Sequence, residues 1–218
     1  MICSAVVFDF DGLIVDTEGP VYEAWNEVYR EHGQELSLDF WKTTVGSSSD
    51  WFDPFQELEQ RLGRSLDREA LRTALRVRER ELVAAQPILP GVREWRREAR
   101  DAGIKLGVAS NSGEAWVLGH LERLGLGDGW DCIRCRTQST RPKPDPELYL
   151  AVLECLAVGP ETAIAVEDSG HGVEAAKAAG LHCVAVPNPM TEDHDLARAD
   201  VRLGSLADIG LLELARTL

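Results

Sequence analysis

Apolar positions along this chain follow two different periods. Residues 2–8, "ICSAVVF", make a β-branched run of the kind that fills a strand buried on both faces. From residue 20 to about 86 the spacing becomes helical. In "VYEAWNEVYREHG", Val21, Ala24, Trp25 and Val28 recur every three or four residues before Gly33 stops the run. "DWFDPFQELEQRLG" and "DREALRTALRVRERELVAAQ" keep that texture, and Asp67 stands where an N-cap belongs. Beyond "PILPG" strands and helices alternate. Helices are predicted over 93–103, 113–126, 145–158 (opened by Asp145 and Pro146) and 172–180. Strands are predicted over 104–110, 131–135, 162–166 and 182–186, and "DVRLGSL" with "ADIGLLELARTL" completes the pattern. Such alternation predicts an α/β fold: a Rossmann-like parallel sheet with helices on both faces, interrupted after its first strand by an α-helical insert. The sheet domain is expected over residues 1–16 and 88–218 and the helical unit over 17–87, with hinges near Asp16 to Gly19 and around Pro87, Pro90 and Gly91.

Open parallel sheets bind ligands beyond the carboxyl ends of their strands. The first strand runs into "FDFDGLIVDTE", and extended residues two apart share a face, so Asp9 and Asp11 are expected to aim at one spot. The second strand ends in "VASNS" with Ser110 and Asn111. The loop "TRPKPDPE" carries Lys143, and "VEDSGHG" carries Glu167 and Asp168. If these strands are neighbours, four carboxylates converge. At ~5 Å and an effective dielectric of ~20 each like-charge pair costs about 3 kcal/mol, so either their pKa values rise or a cation neutralises them. Hard oxygen donors suit Mg²⁺, and no Cys or His cluster favours zinc. Lys143 adds a fixed positive charge for a phosphate. One carboxylate can attack phosphorus while the other exchanges a proton with the leaving oxygen and then with water. Gly12 permits a sharp turn. Ser110 and the N–H groups after it can hold phosphoryl oxygens at a helix start, for which "SNS" also reads as the N-cap.

Charge narrows the partners. With 37 acidic and 23 basic residues, net −14, the chain lacks the basic field that nucleic acid or an anionic membrane requires. Five scattered cysteines read as reduced thiols of a cytoplasmic protein. Cys132 and Cys135 form a C-x-x-C within a predicted strand, without the second pair that a zinc site needs. No basic leader precedes an apolar run, and no stretch reaches the ~18 apolar residues of a membrane span, so no membrane partner is expected. Gly170 and Gly172 resemble the start of a dinucleotide fingerprint, but Ala175 replaces its third glycine and the adjacent acids would repel a pyrophosphate. Nothing in the pattern specifies an oligomeric state.

The four motifs, "DFDGLIVDTE", "VASNS", Lys143 in "RPKPDPE" and "VEDSGHG", stand in one order, with a helical insert after the first. Over nearly its whole length the chain resembles the phosphatases of the haloacid dehalogenase superfamily with a helical cap, close to the β-phosphoglucomutase-like branch. The resemblance implies Asp9 as the phosphorylated nucleophile and Asp11 as acid/base. It implies Mg²⁺ held by Asp9, the Asp11 carbonyl and Asp168, with Glu167 assisting. Ser110, Asn111 and Lys143 would hold the substrate phosphoryl. Gly46, in the loop "VGSSSD", would contact substrate from a mobile cap, and Trp51 stands beside that loop. The implied reaction is hydrolysis of a small phosphorylated metabolite, possible sugar phosphates among them, through an aspartyl-phosphate. Mutases of that branch carry a His, an Arg and a Lys where this chain has Val21, Ser49 and Gly113, which favours hydrolysis. A phosphomutase and a non-catalytic regulatory protein on the same scaffold are the alternatives. Dehalogenation would leave Asp11 idle, and phosphonate hydrolysis would require a cap lysine, for which Lys42 is the candidate.

Overall fold

The computed structural model describes residues 3–45 and 52–218. In chain order these form β1 (Ala5–Phe8), α1 (Glu18–Glu31), α2 (Leu38–Lys42), α3 (Pro54–Leu62), α4 (Arg68–Ala84), α5 (Val92–Asp101), β2 (Lys105–Ser110), α6 (Glu114–Arg123), β3 (Cys132–Cys135), α7 (Glu147–Leu156), β4 (Ala163–Glu167), α8 (Gly170–Ala178), β5 (His182–Ala185), β6 (Val201–Arg202) and α9 (Leu211–Leu214). They divide into two compact units, Met1–Val15 with Pro87–Leu218, and Asp16–Gln86.

In the first unit all strands run parallel in the order β3-β2-β1-β4-β5-β6. The order reverses between β1 and β4, which makes the carboxyl ends of those two strands the switch point where ligands bind in open α/β sheets. Val108 and Val166 flank Phe8 in register, and the Asp9 N–H donates to Val166 O at 2.9 Å. Burial on both faces explains the continuous apolar runs. Val6, Phe8, Leu106, Val108, Ile164 and Val166 pack on one face beneath Trp95 of α5 and Leu121 of α6. Alternate residues Ala5, Val7, Ala109, Ala163 and Ala165 meet Tyr149 and Val152 of α7 and Val173 of α8 on the other. Bulk on one face and small residues on the other let α7, which carries Tyr149, approach the strands closely.

The second unit is helical. Asp53 and Asp67 cap α3 and α4, accepting from the N–H groups of Phe55 and Ala70. The Tyr29 hydroxyl donates to Pro54 O, and Trp25 packs on Phe55 with ring centroids 4.7 Å apart. Trp25 and Trp41 therefore serve the core of this unit. Gly46, Ser49 and Trp51 lie outside the described residues. No helix among the described residues is long and apolar enough to cross a membrane.

Two local expectations fail. The α6 helix is not capped by "SNS". Its N-cap is Gly113 without a side-chain bond, because the Ser112 hydroxyl is engaged by Asp11. The cysteines are not all thiols either. Packing of α7 against β3 brings Cys155 to Cys132 across 23 residues, with Cα atoms 6.2 Å apart, and the two form a disulfide. Cys3, Cys135 and Cys183 remain free. Alkylation of unfolded protein without reductant should therefore label those three alone, and labelling at Cys132 and Cys155 should require reductant. Labelling of all five cysteines without reductant would show that the bond does not form.

Candidate active site

The site assembles at the switch point. Lys143, in the loop before α7, is buried, and its ammonium donates to Asp9 Oδ1 (2.5 Å), Glu167 Oε1 (2.6 Å) and Ala109 O (2.8 Å). All three donor positions of the ammonium are thus directed at oxygen. The Tyr149 hydroxyl donates to the same Glu167 oxygen at 2.5 Å, and the Tyr149 ring centroid lies 4.9 Å from Lys143 Nζ. Burial disfavours the Lys143 charge, but Asp9 and Glu167 outweigh it and hold the amine protonated above its ordinary range. Burial also pushes the Asp9 carboxyl well above the usual carboxylate range; Lys143 pulls it down, while Glu167 and Asp11 push it up. Tyr149 is raised by burial and by the Glu167 charge.

Asp9, Glu167 and Asp168 each offer one carboxylate oxygen, and these atoms all lie within 4.8 Å of one another. Lys143 pairs with two of these three buried carboxylates, Asp9 and Glu167. Glu167 Oε2 is buried without a hydrogen-bond partner among the described residues. A Cβ at Gly172 would overlap that oxygen, so glycine at the start of α8 makes room for it. A desolvated surplus of hard oxygen donors with one unpartnered oxygen fits a divalent cation.

Asp11 does not join this group. Sharing a face with Asp9 would require an extended chain, but β1 ends at Phe8 and the backbone turns, with Gly12 at φ +77° and its N–H donating to Val15 O. The Asp11 carboxylate instead reaches the end of β2. Its Oδ2 accepts from the Ser112 hydroxyl (2.6 Å) and the Ser110 hydroxyl (3.3 Å), and its Oδ1 accepts from the Trp116 indole N–H (2.9 Å). Ser110 is fully buried and its Oγ accepts from the Ser112 N–H. Asn111 Oδ1 accepts from the Lys143 N–H at 2.9 Å, which places it as a support for the lysine loop.

Several partners escaped sequence reading. Trp116 is one, although its position in the first turn of the helix after "SNS" was visible. Tyr149 is another, the fifth residue of the helix predicted over 145–158. Asn188 and Thr191 follow β5: Asn188 Nδ2 donates to Asp168 Oδ2 (2.8 Å) and Gly12 O (3.1 Å), and Thr191 Oγ1 donates to Asp168 Oδ2 (3.4 Å). No charge or spacing marks them, because they act on the site across about 20 and 176 residues of sequence.

The sequence of residues 6–186 matches the family model described as haloacid dehalogenase-like hydrolase. The chain is 41% identical over 207 residues to the Bacillus subtilis (strain 168) protein named "Putative phosphatase YhcW", covering 95% of this chain and 94% of that protein. It is 35% identical over 187 residues to the phosphorylated carbohydrates phosphatase of Thermotoga maritima, covering 81% and 82%. A solved haloacid dehalogenase family hydrolase from Deinococcus radiodurans R1, with bound phosphate and sodium, superimposes with a TM-score of 0.82 at 27% identity, covering 100% of this chain and 98% of that one. Matched over most of its length in sequence and over its whole length in fold, this chain belongs to the haloacid dehalogenase-like hydrolases.

Proposed function

We propose that the protein is a Mg²⁺-dependent phosphatase acting on a small phosphorylated carbohydrate through an aspartyl-phosphate at Asp9. The observation that carries this reading is the convergence of buried Asp9, Glu167 and Asp168 oxygens, with Glu167 Oε2 unpartnered among the described residues, which suits a divalent cation beside a nucleophile. Asp9, Asp168 and the Asp11 carbonyl, with Glu167 assisting, would hold Mg²⁺, which when bound neutralises charge on the transferring phosphoryl group. Asp9 attacks phosphorus, and the bond to the leaving oxygen breaks. Asp11 gives its proton to that oxygen. Asp11 then takes a proton from water as the water attacks phosphorus, freeing phosphate and regenerating Asp9. Lys143 offers its positive charge to the phosphoryl group, Ser110 turns its hydroxyl from Asp11 to a phosphoryl oxygen when substrate binds, and the helical unit serves as the cap that selects the leaving group. Substrate class follows from the Thermotoga relative named for phosphorylated carbohydrates. Gly113 has no side chain to hold a second phosphate, which favours hydrolysis over phosphomutase action.

A screen of phosphorylated carbohydrates for phosphate release is expected to find turnover that a chelator abolishes and Mg²⁺ restores. Asp9→Asn should lower it by about a thousandfold or more while the fold persists. Activity that survives chelation, or survives in Asp9→Asn, contradicts the proposal. Trp116→Phe keeps an aromatic ring against His120 but removes the indole N–H that holds Asp11. One lost hydrogen bond to a charged group predicts a fall in kcat of about tenfold with KM little changed. Unaltered kcat would show that Trp116 plays no part in placing Asp11.

A further inference from the structure

We infer that Asn188 is a positioning residue that fixes Asp168 for the divalent cation and ties it to the loop after β1. This rests on the cation site proposed above. The side-chain amide of Asn188 is fully committed in one orientation. Nδ2 donates to Asp168 Oδ2 at 2.8 Å and to Gly12 O at 3.1 Å, while Oδ1 accepts from the Met190 N–H at 2.8 Å. A flipped amide would set oxygen against two acceptors and an NH₂ against a donor. The loop supporting Asn188 is itself braced. Asn188 N–H donates to Thr191 Oγ1, Thr191 N–H returns to Asn188 O, and Thr191 is fully buried with its hydroxyl also on Asp168 Oδ2. Space for the bridge exists because residue 12 is glycine. A Cβ there would lie 2.5 Å from Asp168 Oδ2 and 2.6 Å from Asn188 Nδ2.

One amide thus couples the two halves of the carboxylate group, the segment carrying Asp9 and the segment carrying Asp168. Carboxylates that ligate metals depend on such outer partners for their aim, and loss of one weakens metal binding by about 10–100-fold. A role in shape alone would instead lower thermal stability without moving metal affinity.

The test is calorimetric titration of Mg²⁺ into substrate-free protein, for wild type, Asn188→Leu and Asn188→Ser, with melting temperatures beside them. Leucine keeps the volume of the side chain; serine guards against failure of the bulkier apolar variant to fold. Weakening of Mg²⁺ binding by about tenfold or more in folded variants is expected. With saturating Mg²⁺, kcat should recover to within a few-fold and substrate KM should stay near wild type. Variants that fold and bind Mg²⁺ as wild type does overturn the role of Asn188 alone. A wild type that binds no Mg²⁺, like an Asp168→Asn control, overturns the cation site itself and this role with it.

Discussion

A single buried ammonium organises the carboxyl ends of the sheet. Lys143 sits among Asp9, Glu167 and the Ala109 carbonyl, with Tyr149 beside it. Burying a lone lysine is expensive, and burying clustered carboxylates is more so. Each side makes the other tolerable. Glu167 Oε2 still stands buried at the switch point with no hydrogen-bond partner among the described residues. That cluster of oxygens suits the site to a cation. It also agrees with the bulk charge: a chain at net −14 repels anionic ligands at a distance and must attract them locally.

The sheet sets where most of these groups stand. β1 lies between β2 and β4, so residues just past Phe8, Val108 and Val166 are neighbours by register. Supports come from behind. Tyr149 stands on α7, which packs on the small-residue face of the sheet, and the loop after β5 supplies Asn188 and Thr191. Each carboxylate is thus held by at least one hydrogen-bond donor, the condition for a preorganised site.

The two aspartates of the first motif are separated in surroundings by the turn between them. Asp9 stays with the buried ammonium. Asp11 is carried by Gly12 and the chain reversal toward hydroxyl and indole donors at the start of α6. The divergence gives the two aspartates different environments: one carboxyl beside an ammonium and like charge, the other among neutral donors.

The architecture was legible in local patterns. Continuous apolar runs mark strands covered on both faces, helical spacing marks what covers them, and the α/β class follows from their alternation. The identities of the residues past each strand end were equally plain, since Asp9, Ser110, Glu167 and Asp168 each follow an apolar run. Partners across the fold were not. Extended geometry misplaced Asp11, because where a strand stops depends on its neighbours. The Cys132–Cys155 bond needed the packing of α7 on β3. Asn188 and Trp116 look like ordinary loop and helix residues until the sheet brings them to a carboxylate. Periodicity and motif order are written in adjacent residues, and the sequence determines them by itself; which donor meets which buried charge is decided by contacts between distant segments, and these exist only once the chain has folded.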